Sequence, residues 1–213
     1  MKGQTRQQIL EAALILFCKE GLETVGTRDI AKQVGISLGN LTYYFPTKND
    51  IILALSNEFT AAIDKELQVE SAAGDKVFTD FYRQVEAVFQ IQLRYRFLFN
   101  KRYAEIVTSI AEIQTYFQNV LKGRFVFWRQ LHQEFVQQKL AAESLLEDTT
   151  SLSYVFNILA LFWHQEQEIY MPKASDKQKV DHALAVFFQP YKPYLTKKGC
   201  KEFDKMVKKP KPY

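Results

Sequence analysis

The 213-residue sequence predicts an all-α protein, a three-helix head carrying a helix-turn-helix followed by a larger helical body. Three observations predict it. Apolar residues recur at the three- and four-residue spacing of a helix face along almost the whole chain. Alternating apolar and polar runs bounded by turn residues, the mark of half-buried strands, do not occur in the sequence. Proline breaks a helix interior by removing a donor and crowding the preceding turn; it occurs at Pro46, Pro172, Pro190, Pro193, Pro210 and Pro212, with none between Thr47 and Met171.

The first helix is expected over residues 5–19, with Ile9, Ala12, Ala13, Leu16 and Phe17 on one face and Gly21 as its stop. Thr27 stands where an N-cap belongs, Asp29 suits the first turn of the second helix, and Ile30, Ala31 and Val34 form its inward stripe. Gly35 ends that helix, Ser37 caps the next one through Tyr44, and Pro46 closes it. A fourth helix opens at Thr47 or Lys48 and turns Ile51, Ile52, Leu55, Phe59 and Ile63 inward. The S-A-A-G-D stretch at 71–75 is a break. Helices are then expected over 76–91, 113–138, 144–170 and 175–188, with a ring-rich segment at 95–103. Pro190 and Pro193 are read as the end of the ordered body. The expected domains are therefore a head at 1–50 with a connecting helix over 48–68, a ligand-binding and dimerisation body at 51–191, and a Lys-rich, solvated tail at 192–213.

At 47% hydrophobic residues the chain has enough apolar surface for a core. No run approaches the ~18 consecutive apolar residues of a membrane span. Residues 1–6 are polar, without a signal-peptide core. Cys18 and Cys200 lack the number and spacing of a disulfide framework or zinc site. The expected compartment is the cytoplasm, with no membrane partner and no cofactor. The net charge of +4 is uneven: residues 1–50 hold six Lys or Arg against five acids, whereas residues 192–213 hold eight Lys against two. The basic excess lies in the tail and says nothing about the head.

A helix-turn-helix has tight internal rules because two helices cross at close range around a turn. Counted from Thr27, the fourth, eighth, tenth and fifteenth positions must be apolar, and they are Ile30, Val34, Ile36 and Leu41. The fifth must be small, and it is Ala31. The ninth must take φ > 0, and it is Gly35. The residues left outside, Ser37 to Tyr44, belong to the helix that enters the major groove in this motif. Asn40 suits a base edge, adenine above all, and Thr42 suits several bases or a thymine methyl. Gly39 allows close approach. Tyr43 and Tyr44 offer hydroxyls to phosphates, while Thr27, Arg28 and Lys48 sit at helix N-termini that suit phosphate. The same hairpin also serves elsewhere as a plain packing unit, so a helical carrier of apolar molecules with a non-DNA-binding head stands as the alternative.

The stretch T-R-Q-Q-I-L-E-A-A-L-I-L-F…T-R-D-I-A-K-Q-V-G-I-S-L-G-N-L-T-Y-Y-F-P-T-K-N-D-I resembles the N-terminal domain of TetR-type transcriptional repressors over about a quarter of the chain. The resemblance implies a cytoplasmic homodimer with one head per half-site of a palindromic operator. It also implies a helical body that houses a small-molecule inducer. Carried over, Thr27, Arg28, Ser37, Gly39, Asn40, Thr42, Tyr43, Tyr44 and Lys48 fall where the family contacts DNA. Thr42 is the one departure, because the family commonly has tyrosine there.

The body is rich in aromatic residues that suit either a core or the wall of an apolar pocket. With the resemblance added, Phe99, Tyr103, Phe125, Trp128 and Trp163 are expected to line a pocket for a largely apolar inducer. The helix at 144–170 carries Tyr154, Phe156, Ile158, Leu161 and Phe162, more apolar surface than one neighbour covers, which suits a twofold dimer contact or internal packing. His164 and Glu168 share a helix face but lack a third ligand, so neither a metal site nor an enzyme is expected.

Overall fold

The computed structural model describes residues 2–67, 76–99, 105, 108–109 and 111–210. Its helices are α1 (Lys2–Glu20), α2 (Thr27–Val34), α3 (Leu38–Tyr44), α4 (Lys48–Leu67), α5 (Val77–Arg94), α6 (Ala111–Gln137), α7 (Ser144–Glu147), α8 (Thr149–Tyr170), α9 (Asp176–Phe187) and α10 (Lys197–Met206). Among the described residues, Arg96–Phe99 and Gln189–Tyr194 form 3-10 turns. The only β pairing among the described residues is an isolated antiparallel bridge between Ala141 and Leu195. The break expected at 71–75 and residues 100–103 of the ring-rich segment expected at 95–103, Tyr103 included, lie outside the described residues. The helix expected over 144–170 is two, divided at Asp148, whose carboxylate accepts a 2.7 Å hydrogen bond from the Tyr194 hydroxyl.

The chain forms two compact units that differ from the expected domains: Met1–Asp64 with Arg94–Tyr116, and Lys65–Leu93 with Phe117–Tyr213. In the first unit, Ile9, Ala13 and Phe17 of α1 are buried with Ile30, Ala31, Leu41, Phe45, Ile51 and Leu55. The ring segment that follows α5 completes this core. Phe97 packs 5.4 Å from Phe17, and Tyr95 and Phe99 pack 5.7 and 5.6 Å from Phe59. Phe99 is thus a core residue of this unit. Its ring meets that of Phe59 edge-on within this core, whereas the sequence reading expected it on the wall of a ligand pocket.

The second unit is built around an aromatic stack. Trp128 stacks on Phe156 at 4.7 Å, Phe156 on Tyr191 at 4.8 Å, and Phe81 meets Trp128, Phe135 and Phe188 edge-on. A polar chain crosses it. Thr149 donates its hydroxyl proton to the Leu145 carbonyl, so its oxygen accepts from Nδ1–H of His132 at 2.8 Å. That leaves Nε2 of His132 to accept from the Tyr191 hydroxyl at 3.1 Å. Burial pushes the His132 imidazole from an ordinary 6.5 down to about 4 and the Tyr191 phenol well above its usual value. Because the unfolded chain takes up this proton below about 6.5 and the folded chain only near 4, stability is flat above that window and lost as pH falls through it. About 2 kcal/mol should disappear between pH 8 and pH 5. Urea unfolding of wild type and His132→Gln at the two pH values tests this, since the variant should lack that increment.

The Lys-rich segment is not a solvated tail up to residue 207. Thr196 caps α10, accepting from Gly199 N–H at 3.1 Å and donating its hydroxyl to the Lys139 carbonyl at 2.6 Å. Ala142 N–H donates to the Tyr194 carbonyl and Thr196 N–H to the Leu140 carbonyl. Phe203 and Val207 are buried in the aromatic core while Lys197, Lys198, Lys201 and Lys205 face solvent. Lysine-rich composition concealed an amphipathic helix, and the pattern of apolar residues governs whether it packs. Gly199 sits so close to residue 140 that a Cβ there would lie 1.9 Å from the Leu140 carbonyl oxygen. In an open helix Gly→Ala stabilises by up to ~1 kcal/mol. Here Gly199→Ala should destabilise by roughly 1–3 kcal/mol through overpacking against backbone, read as a lower urea midpoint.

Candidate nucleic-acid interface

The geometry of the head follows from three local devices. Gly26, in extended conformation, precedes α2, and the Asp29 carboxylate reaches back to accept its N–H at 2.8 Å. The cap residue is therefore Gly26 and not Thr27. Thr27 opens the helix instead, and its N–H with that of Arg28 belongs to the first turn, where no intrahelical acceptor exists. Gly35, at φ +76°, ends α2 in the left-handed conformation. Its N–H donates to Lys32 and that of Ile36 to Ala31, the two-bond closure that turns the chain sharply into α3. The third device is Ser37, whose hydroxyl oxygen accepts from Asn40 N–H at 3.1 Å and caps α3.

These devices leave Leu41 as the buried residue of α3 and turn Ser37, Leu38, Gly39, Asn40 and Tyr43 to solvent. Tyr43, 67% exposed, meets the half-buried Tyr44 edge-on at 5.2 Å. A Cβ on Gly39 would meet nothing nearer than the Ser37 hydroxyl at 4.0 Å, so packing does not demand glycine there. The Thr42 hydroxyl donates to the Gly39 carbonyl at 3.1 Å, so its lone pairs and methyl group remain for a partner. Ser37, Gly39, Asn40, Thr42, Tyr43 and Tyr44 all lie on α3 or its cap, and Thr27 and Arg28 open α2.

Lys48 departs from the expected phosphate clamp. Its ammonium donates to the Leu22 carbonyl and lies 5.7 Å from the Phe17 ring centre. Burial pulls its pKa down, partly offset by Asp29 and Glu23. The N-terminus of α4 is instead capped by Thr47, whose hydroxyl oxygen accepts from Asp50 N–H at 3.2 Å while its own N–H and O–H donate to the Asp50 carboxylate at 2.7 Å. With Lys48 turned inward, Arg28 and Lys32 are the exposed cations of α2.

Residues 9–55 match the family profile of bacterial regulatory proteins of the tetR family, and residues 58–203 match that of the TetR bacterial transcriptional repressors. The chain belongs to the TetR family. A relative from Bacillus subtilis, the probable HTH-type transcriptional regulator YttP, is 27% identical over 92% of this chain and 89% of its own. A TetR-family regulator from Marinobacter aquaeolei VT8 superimposes with a TM-score of 0.81 at 20% identity, covering 95% of this chain and 98% of that one. A transcriptional regulator from Saccharomonospora viridis in complex with choline superimposes with a TM-score of 0.69 at 18% identity, covering 92% and 100%. The protein is thus a DNA-binding transcription regulator with a helix-turn-helix head and a helical C-terminal domain, and the reading as a carrier with an idle head falls away.

In this TetR-family chain the expected ligand-wall residues do not share one setting. Trp128 and Trp163 lie in the core of the second unit, where Trp163 packs on Phe89 at 5.0 Å and donates its indole N–H to Gln92 at 2.7 Å. Phe125 is half-buried against Tyr154 at 5.2 Å. On α8, Tyr154, Ile158 and Phe162 are each more than half exposed, and Leu161 lies at the edge of their stripe. Phe156 is fully buried and stacked on Trp128 and Tyr191, so its place in a dimer contact is corrected. Two residues along a helix is a rotation of about 200°, which puts Phe156 opposite Tyr154. Val155 and Ile169, exposed on the same stripe, were missed, although each stands seven residues, two helical turns, from Phe162 and so shares its face. Glu168 pairs with Lys179 at 3.1 Å. Among the described residues no group of three or more His, Cys, Asp or Glu is placed to hold a metal. No described helix is long and apolar enough to cross a membrane.

Proposed function

We propose that this regulator is a cytoplasmic repressor that binds a palindromic operator as a homodimer and leaves it when a small, largely apolar inducer enters the body. The observation that carries the reading is the outer surface of α3, where Ser37, Gly39, Asn40 and Tyr43 stand exposed on a helix whose inner face is held by Leu41. Asn40 reads a base edge, Thr42 supplies an acceptor and a methyl group, and Tyr43, Tyr44 and the α2 N-terminus at Thr27 and Arg28 hold phosphates. Dimerisation through Tyr154, Ile158, Leu161 and Phe162 sets the spacing of the two heads. The inducer is a molecule with an apolar or aromatic body and hydrogen-bond acceptors. Trp128 Nε1 and Asn157 Nδ2, buried donors without an acceptor among the described residues, support that choice.

The test is anisotropy with the chain's own upstream DNA against a random duplex at matched salt. A preference of ~10³-fold or more is expected; equal affinity for both duplexes would end the reading. Gly39→Ala sharpens it. The fold has room for this Cβ, so thermal stability should hold or rise. Operator affinity should fall by roughly 1 kcal/mol or more, because the groove floor does not have that room.

A further inference from the structure

The first unit contains an open cavity of about 550 Å³ away from the surface of α3, within the ~300–1,000 Å³ of small-molecule sites. Its floor is apolar: Leu14, Ile15 and Cys18 of α1, with Ile15 59% exposed. Its rim is charged. Lys19, Arg94 and Arg96 stand there with one acid, Glu11, and none of the three cations is ion-paired among the described residues. The Arg94 guanidinium lies 5.7 Å from the Tyr95 ring centre, and the Arg94 carbonyl accepts from the Cys18 thiol at 3.5 Å, which ties the rim to the floor.

We propose that this groove binds a small amphipathic anion, a carboxylate on an alkyl or aryl body, held at the carboxylate by Arg94 and Arg96 and along the body by Ile15, Leu14 and Cys18. Guanidinium groups present paired N–H donors that match a carboxylate, and two of them with Lys19 leave the rim in net positive excess. A bare inorganic anion would use the rim and leave Ile15 wet. A neutral apolar molecule would use the floor and leave the cations unpaired. Only a ligand with both parts satisfies both surfaces.

Cys18 reports on the site directly, and the exposed Cys200 of the same molecule is the internal control. The full chain is treated with iodoacetamide at pH 8.5, and alkylation of each cysteine is followed by mass spectrometry at increasing sodium decanoate. Cys18 alkylation should slow by roughly tenfold once decanoate stands ten times above half-saturation, since only the empty fraction reacts. Cys200 should be unaffected, and decanol and inorganic phosphate should protect Cys18 little. The R94Q/R96Q double variant, which changes two exposed side chains, should lose the protection by decanoate. The proposal is overturned if decanoate leaves Cys18 alkylation unchanged, if decanol or phosphate protects equally, or if protection persists in the double variant. No DNA enters the experiment, so its failure leaves the regulator reading standing.

Discussion

Replacing Asn40 and Tyr43 together by alanine is expected to weaken operator binding by about 2–4 kcal/mol, thirtyfold to a thousandfold, with the melting temperature almost unchanged. Both side chains are exposed. The cap at the start of α3 uses the backbone N–H of Asn40 and not its amide, so the Ser37 bond survives the substitution. Exposed substitutions that break no cap or core contact stay within about 0.5 kcal/mol of wild-type stability. The two changes should also separate. With Asn40 proposed to read a base edge, Asn40→Ala should lower the operator preference while sparing affinity for random duplex. With Tyr43 proposed to hold a phosphate, Tyr43→Ala should weaken both duplexes alike. Anisotropy titrations of the two single variants and the double variant, on operator and random duplex at fixed salt, read all of this. Loss of affinity for both duplexes together with a lowered melting temperature would point to a damaged head instead.

The head was legible because a helix-turn-helix is specified by local constraints. Gly35 must take a positive φ, Ser37 must cap, and Ile30, Ala31 and Leu41 must meet across one turn, all within fifteen residues. What escaped was set by tertiary contact. Lys48 has the sequence position of a phosphate clamp, yet the Leu22 carbonyl and the Phe17 ring, distant in the chain, draw its ammonium inward. Phe99 and Trp163 are both large rings in a ring-rich body. Nothing in composition distinguishes the one packed on Phe59 from the one bonded to Gln92. The tail misled for the opposite reason: eight lysines outweighed Phe203 and Val207, whose four-residue spacing already marked one buried helical face. Charge count describes what a surface shows to water, whereas apolar spacing decides whether there is a surface at all.

Ile158→Glu is expected to turn a dimer into a monomer, and with it to remove most of the operator affinity. Within one chain Ile158 is 57% exposed, flanked by Tyr154 and Phe162 one turn before and after. Three such side chains in a row on one helix face make an apolar stripe of the kind that marks an association surface. In a twofold contact every residue appears twice, so one substitution brings two carboxylates into the same dry patch. Burying unpaired charges costs several kcal/mol, enough to push a micromolar or tighter dimer apart at ordinary protein concentrations. The fold should survive, because Ile158 contributes little to the core of its own chain. Phe156→Glu, two positions away on the opposite face, should unfold it. A monomer carries one head, and a palindrome gains its tight binding from two heads held at a set distance, the second acting at high effective concentration. Sedimentation velocity of Ile158→Glu should therefore show a single species near the 24.9 kDa chain mass with unchanged helical circular dichroism. Anisotropy should show its affinity for the full operator falling to that for an isolated half-site. If Ile158→Glu instead sediments as a dimer, the α8 stripe is not the contact and the spacing of the heads must be set elsewhere.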